Sequence, residues 1–380
     1  MSELRIWIDA TPLLLRSAGV KTYVYYWVQA LRREAGEQAV RLFPLLGPPG
    51  PCVHDRSVNG WLATAAGLGW LHLANASPLR LLNLFAGGAQ VFHASHQLLR
   101  PPGNCRVTAT IYDMTCWLVP EMHAAANVRM ARKFARRVMR QADGLIAISE
   151  HSKQDAVRIL GLDPERIAVI YPGVAETFFS TPAPSSGKPY ILFVGTVEPR
   201  KNLGVLLDAY ERLPGAIRGE FDLVVAGSPG WGDPAVLQRL QVGMPGLRYL
   251  GYVPEERLPA WNAGASLFVY PSLYEGFGLP VAQAMAAGVP VVTSRVSSLP
   301  EVAGEAGVLV DPRSADELAE AIARVLDSPE QIRRLRAAGR ARAERYRWSR
   351  CAVQSLEFFA RVACGQPALA PGVVADVKSG

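Results

Sequence analysis

The chain is 380 residues long, with 49% hydrophobic, 19% charged and 8% aromatic residues. That is enough apolar material to fill the cores of two to three domains of roughly 150 residues each, and too much for a disordered or fibrous chain. The net charge of +7 is lopsided, because residues 1–180 carry 19 Lys and Arg against 13 Asp and Glu while the remainder is nearly neutral; with no basic-aromatic module this argues against nucleic acid. The basic first half suits an anionic lipid surface, a phosphorylated acceptor, or simply solvent.

The chain opens on Met1-Ser2-Glu3-Leu4-Arg5 and a short apolar stretch ending at Asp9, with no signal-peptide core, so the cytoplasm is the expected compartment. Short apolar runs then alternate with longer helical patterns, which is the signature of an α/β class with parallel sheets and crossover helices. In the first half the expected strands are Leu4–Ile8, Val40–Leu46, Val91–His93, Val107–Tyr112, Leu145–Ile148 and Ile167–Ile170. Between Arg56 and Arg80 there is no Asp, Glu, Lys or Arg, but Asn59, His72, Asn75, Pro78 and repeated Gly interrupt the stretch. It is poor material for the roughly 20 apolar residues of a membrane span, and a buried or interfacial helix pair is expected instead.

A helix is expected over Val128–Gln141, packing through Phe134, Val138 and Met139 and carrying Arg129, Lys133, Arg136 and Arg140 on another face, with Arg132 and Arg137 widening the basic stripe. Ser149, between a strand and a helical segment, is placed to cap that helix. The Pro/Ser/Gly run Ser180–Pro189 reads as a linker between a first domain, 1–180, and a second, 181–345. Strands are expected again at Tyr190–Val194, Phe221–Ala226, Leu247–Leu250, Leu267–Tyr270, Val289–Thr293 and Gly307–Val310, with helices over Ala315–Leu326 and Pro329–Arg345, a further helix within 346–365, and a loosely held tail over 366–380. Two doubly wound domains are implied. Cys52, Cys105, Cys116, Cys351 and Cys364 form an odd set with no C-x-x-C pair and no His at zinc-ligand spacing, which argues against a metal site and against a disulfide framework.

Ligands of doubly wound sheets sit at the carboxyl ends of strands, so the candidate site is sought in strand-to-helix loops. Leu15–Val20, Gly195–Asn202 and Pro271–Pro280 are rich in Gly and charge. A helix N-terminus preceded by Gly exposes N–H groups, and adjacent Arg and Lys complete a clamp suited to a diphosphate. Alone, the Gly19 loop reads first as an ordinary tight turn, and Arg200-Lys201 reads equally as a solvated helix start. Glu275 precedes an abrupt turn and Gln283 follows eight residues later, so the two can hold two parts of one extended ligand.

Four segments together resemble a family 4 glycosyltransferase of the two-domain GT-B architecture, over nearly the whole chain. They are ILFVGTVEPRKN at Ile191–Asn202, ADGLIAISEHSK at Ala142–Lys153, VIYPGV at Val169–Val174, and Pro271–Gly288, which matches the family's E-x7-E region. The resemblance implies a retaining enzyme that moves a hexose from a nucleoside diphosphate sugar to a saccharide or polyprenyl-diphosphate-linked acceptor, needing no metal or other cofactor. It suggests surface polysaccharide or O-antigen assembly, with GDP-mannose as the first donor to test. Arg200 and Lys201 would bind the diphosphate and stabilise its charge as it leaves. Glu275 would hold the sugar hydroxyls; Gly195, Thr196, Ser272, Gly276, Phe277, Gly278 and Leu279 would support sugar and phosphates; Gly251, Tyr252 and Val253 would flank the base; Gly19 would let the first helix approach the diphosphate. The helix within 346–365 would cross back to the first domain, which would take the acceptor and dock peripherally on an anionic membrane.

Three positions depart from the family pattern. Gln283 stands where a second glutamate typically holds the ribose, and an amide lacks the charge that strengthens such a contact. Tyr112 replaces a histidine in Tyr112-Asp113, and with a reference pKa of about 10 it is a poor base; Asp113 reads equally as a substrate contact or a turn residue. Thr196 stands where many relatives carry Arg. Gln283 and Tyr112 motivate the alternative of a non-catalytic homologue that binds nucleotide sugar or supports a partner transferase.

Overall fold

The computed structural model describes residues 4–15, 19–44, 50, 52, 57–77, 79–84, 86–95, 97–184, 187–230 and 233–368. Two compact units divide the chain, Met1–Tyr171 with Ser349–Gly380, and Pro172–Trp348. The first holds β1 (Ile6–Asp9), β2 (Val40–Phe43), β3 (Val91–Ala94), β4 (Arg106–Ile111), β5 (Gly144–Ala147) and β6 (Ile167–Val169), all parallel in the order β2-β1-β3-β4-β5-β6. The second holds β7 (Tyr190–Val194), β8 (Asp222–Ala226), β9 (Leu247–Gly251), β10 (Leu267–Tyr270), β11 (Val291–Ser294) and β12 (Gly307–Val310), again all parallel, in the order β12-β11-β10-β7-β8-β9. Each expected strand has its counterpart, although Leu45 and Leu46, expected at the end of the second strand, lie outside the described residues. All residues of β5, β8, β10 and β11 are buried, as expected where crossover helices cover both faces of a parallel sheet, and this is why these strands read as unbroken apolar runs.

Both strand orders reverse once, between β1 and β3 in the first sheet and between β7 and β10 in the second. Loops leaving the carboxyl ends of those neighbours run to opposite faces and open a crevice. The sequence places Asp9 and Ser95 at one such point, and Gly195–Asn202 and Pro271–Gly278 at the other.

Several elements differ from expectation. The basic helix runs over Ala125–Phe134 and continues as a π-helical turn, Ala135–Met139, keeping Ala135, Val138 and Met139 buried. Ser149 does cap the helix Glu150–Leu160, its hydroxyl accepting from the Ser152 N–H at 2.9 Å. The uncharged stretch, expected as a buried or interfacial helix pair, forms one helix, Trp61–Ala76, and a short 3-10 turn, Leu81–Leu84. Only Gly67 and Ala74 of that helix are buried, while Trp61 and Leu62 are 78% and 65% exposed. A Cβ on Gly67 would meet Leu14 Cδ1 at 2.7 Å, so the glycine is what lets the helix approach its support. Arg56 and Pro78, at the ends of that stretch, lie outside the described residues. No helix among the described residues is long and apolar enough to cross a membrane.

The chain passes between units at Tyr171–Pro172, ahead of the expected boundary at 180–181. The short helix Glu176–Ser180 belongs to the second unit because Phe178 is buried and the helix packs against Leu258–Ala263 and Leu279–Ala286. Ser185 and Ser186 of the Pro/Ser run lie outside the described residues. Val174 N–H donates to Tyr346 O at 2.7 Å, so the segment entering the second unit pairs with the one leaving it. The last helix, Trp348–Ala363, packs in the first unit, where Trp27 Nε1 donates to Ser355 Oγ at 2.9 Å. Of the expected loose tail, residues as far as Ala368 are held, since Ala368 is buried and Arg361 Nε donates to Pro367 O at 3.1 Å. Residues 369–380 lie outside the described residues.

Candidate active site

In the second unit, the loops after β7 and β10 bring Arg200, Lys201, Ser272 and Glu275 into one cluster. Glu275 Oε1 accepts from Lys201 Nζ at 2.6 Å, from Ser272 Oγ at 2.6 Å and from Tyr270 OH at 3.0 Å. Its Oε2 lies 2.8 Å from Arg200 Nη1. Arg200 also pairs with Glu198 through Nη2 at 2.6 Å and donates to Tyr274 O at 2.7 Å. Lys201 Nζ reaches Tyr270 OH at 2.6 Å. Two cations and two carboxylates thus sit in a largely buried, charge-balanced group, with Lys201 only 9% and Glu275 only 7% exposed.

Local backbone geometry explains the convergence. Asn202 adopts a left-handed conformation with φ 58°, which ends the 3-10 turn Pro199–Lys201 and starts the helix Leu203–Arg212; its side chain ties the turn to Pro271 O at 3.0 Å. Leu273 N–H donates to Arg200 O at 2.8 Å, with Ser272 Oγ 3.0 Å from the same oxygen, fixing the two loops to one another. Gly278, with φ 97°, caps the helix Leu279–Ala286, and a Cβ there would also meet Leu299 Cδ2 at 2.7 Å. Glycine is needed at this turn on both counts.

Burial alone would raise the Glu275 pKa, but the charges of Arg200 and Lys201 and the hydrogen bonds from Lys201 and Ser272 outweigh it and hold the carboxyl at about 2. Burial pushes the Lys201 ammonium below its usual range, with Glu275 opposing the shift. The Tyr270 phenol is pushed well up, by burial and then by the Glu275 charge, so it remains a donor.

The other expected donor-side residues surround this group unevenly. Gly195 N–H donates to Ala226 O at 2.9 Å and Gly227 N–H donates to Gly251 O at 2.7 Å, so Gly195 and Gly251 stand at neighbouring strand ends. Thr196 packs over Gly230, where a Cβ would meet its Cγ2 at 2.8 Å. Tyr252 is exposed and Val253 half-buried. Gly276 is buried. The Phe277 ring points into the core against Tyr346, centroids 5.2 Å apart, which leaves its backbone for any ligand role. Leu279 is half-buried and Gln283 is buried on the helix that follows.

Gly19, Tyr112 and Asp113 lie in the first unit. Gly19 begins the helix Gly19–Ala35, and Arg16–Ala18 before it lie outside the described residues. Asp113 Oδ1 accepts from Thr115 N–H at 3.0 Å and from Thr115 Oγ1 at 2.6 Å, the bonds of a turn residue, which occupy one of its two carboxylate oxygens. The Tyr112 ring stands edge-on to Tyr23 at 5.4 Å, and burial followed by the Asp9 charge raises its phenol further above the range of a base.

Sequence reasoning missed six residues. Tyr270 is the last residue of β10, and that strand-end position was the available signal. Glu198 stands inside the loop that supplied Arg200. Ser298 Oγ lies 2.9 Å from both Glu275 O and Phe277 O, its one proton serving either carbonyl, and Ser297 accepts from Glu275 N–H at 3.0 Å; neither has a local signal. In the first unit, Asp9 accepts from Thr11 N–H at 3.0 Å, from Ser95 N–H at 3.2 Å and from both hydroxyls, and burial still raises its pKa. Beside that network, His93 sits between Thr108 and Thr110, 2.9 Å from each hydroxyl, with burial lowering its pKa to about 3. Among the described residues no three His, Cys, Asp or Glu side chains gather as metal ligands.

Two family models match the chain: "Glycosyltransferase Family 4" over residues 17–178 and "Glycosyl transferases group 1" over residues 174–342. The chain belongs to glycosyltransferase family 4. This glycosyltransferase is 35% identical over 267 residues to the O-antigen chain mannosyltransferase B of Escherichia coli, a match covering 67% of the chain and 70% of that protein. It is also 35% identical over 230 residues to the MMP alpha-(1->4)-mannosyltransferase of Mycolicibacterium hassiacum, covering 59% and 55% of the two. Among solved structures, sucrose-phosphate synthase from Thermosynechococcus elongatus superposes with a TM-score of 0.72 at 21% identity, covering 96% of this chain and all of that one. The two parallel six-stranded sheets are those of the GT-B glycosyltransferases.

Proposed function

We propose that this glycosyltransferase moves a mannosyl unit, with retention of anomeric configuration and without a metal, from a nucleoside diphosphate sugar to a saccharide or polyprenyl-diphosphate-linked acceptor of a surface polysaccharide. GDP-mannose is the first donor to test. The reading rests on the Arg200–Lys201–Glu275 cluster at the β7/β10 switch point, with the mannosyltransferase names of relatives at 35% identity supporting the sugar.

A diphosphate arriving at that cluster competes with Glu198 and Glu275 for Arg200 and Lys201. As the sugar–phosphate bond breaks, the two cations stabilise the charge growing on the leaving oxygen, which is electrostatic catalysis by groups already in place. Glu275, ionised at neutral pH, aligns both cations and offers its acceptor lone pairs to sugar hydroxyls. The leaving phosphate itself takes the acceptor proton, so the raised Tyr112 phenol is not required as a base. The N-terminal half supplies six exposed cations, Arg129, Arg132, Lys133, Arg136, Arg137 and Arg140, for peripheral docking on an anionic membrane.

The test is nucleotide release from a panel of GDP- and UDP-sugars with lipid-linked and free saccharide acceptors. Release that depends on acceptor and drops at least a hundredfold in Lys201→Ala is expected. Binding without turnover across the acceptor panel would favour the non-catalytic homologue suggested by Gln283 and Tyr112, and absence of binding would overturn the site.

A further inference from the structure

We propose that an arginine-lined cavity at the amino-terminal edge of the first sheet binds a phosphate-bearing ligand, at a site separate from sugar transfer. The cavity encloses about 570 Å³ and is lined by Arg80, Arg100, Arg106 and Arg137, with Asp143 the one acid among its described lining residues. That volume lies in the range of small-molecule sites. Arg106 opens β4 and Asp143 immediately precedes β5, so the cavity faces the end of the sheet opposite Tyr112 and Ser95, roughly 16 Å of strand away.

The charge balance is what selects the ligand. Asp143 is occupied by the protein, its Oδ1 pairing with Arg106 Nη1 at 2.8 Å and its Oδ2 accepting from Val107 N–H at 2.7 Å. The other ion pairs among the first unit's described residues are His151 and Arg158 with Asp155, so among the described residues Arg80 and Arg137 line the cavity without a carboxylate partner. The Arg80 guanidinium lies over Gly103, whose N–H donates to Asn83 Oδ1 at 2.7 Å, so the Arg80 side chain and the Gly103 loop share one wall of the cavity. Guanidinium forks match tetrahedral phosphate oxygens bidentately, which makes phosphate the fitting ligand class. Leu79 and Leu84, 69% and 79% exposed, flank Arg80 in sequence, so the phosphate can belong to a lipid headgroup as well as to a free anion.

The full-length protein is titrated calorimetrically with inorganic pyrophosphate and, separately, floated with phosphatidylcholine vesicles with or without phosphatidylglycerol. Arg80→Gln and Arg137→Gln are each expected to weaken binding roughly tenfold with unchanged urea midpoints, which separates charge loss from misfolding, whereas Arg137→Lys, which keeps the charge but not the fork, recovers only part of it. Pyrophosphate binding that survives Arg200→Ala/Lys201→Ala but falls in the two glutamine variants supports a free-phosphate site. Loss of flotation on phosphatidylglycerol vesicles in Arg80→Gln, which lies outside the Arg129–Arg140 stripe, supports a headgroup site, whereas loss in Arg137→Gln alone reports the stripe and overturns it. Binding of neither probe, or binding indifferent to Arg80 and Arg137, overturns the proposal.

Discussion

Glu275 carries the largest burden of any single side chain in the second unit, since its carboxylate holds Arg200 and Lys201 together beneath the β7 and β10 loops. Glu275→Gln keeps the shape but leaves two partly buried cations short of a counter-charge, and a loss of about 3 kcal/mol in unfolding free energy is expected by urea titration. The same residue predicts an acid response. Its folded pKa of about 2 lies below the usual 4.5, so its contribution is complete above pH 4.5 and drains away as the pH falls toward 2. The gap in stability between the native chain and Glu275→Gln therefore narrows across that window; a gap that stays constant to pH 2 would contradict the assigned shift. Gln283 gives the opposite kind of test. If it faces the donor ribose, Gln283→Glu strengthens that hydrogen bond by charge and lowers KM for the nucleotide sugar roughly fivefold, with kcat little changed.

At the level of elements, the turn at Gly278 shows how one backbone conformation sets the start of a helix. Gly278→Ala forces a side chain into φ 97° and against Leu299, so a destabilisation of about 2 kcal/mol, together with weaker donor binding, is expected from denaturant titration and donor calorimetry. The strands were the most legible elements, because burial on both faces leaves Val, Ile, Leu and Phe in runs no amphipathic helix would show. The loops carrying Arg200 and Glu275 were legible as well, through their glycines and charges. Tyr270, Ser297 and Ser298 were not, because what qualifies them is contact with a residue from another loop, which leaves no periodic trace. The helix Trp61–Ala76 is a mixed case: its apolar composition admits burial or an interface, and only Gly67, which approaches Leu14 and Pro44, and Ala74 are buried.

For the whole molecule, the decisive fact is that the first unit is assembled from both ends of the chain. Gly144, opening β5, lies under Val362 and Phe358 of the last helix, and its missing Cβ would stand 2.8 and 2.9 Å from them. Removing residues 349–380 uncovers this contact and strips Trp27 of its Ser355 partner; differential scanning calorimetry of that truncation is expected to show the first unit's transition lowered or absent, with the second unit's retained. The boundary itself was only half visible in the sequence. The Pro/Ser run at 180–189 advertises a break, but Phe178 buried against the second unit decides where the chain changes allegiance, and burial partners are not written in composition.

The discontinuity also has a temporal side. A ribosome delivers residues 172–348 as one uninterrupted piece, so the second unit can close its sheet while synthesis is still under way. The first unit, although begun earlier, waits with β5 and Trp27 uncovered until the last helix emerges. Of the two units, the one begun earlier is thus the one finished later, and in that interval its uncovered apolar surface is exposed to misassociation.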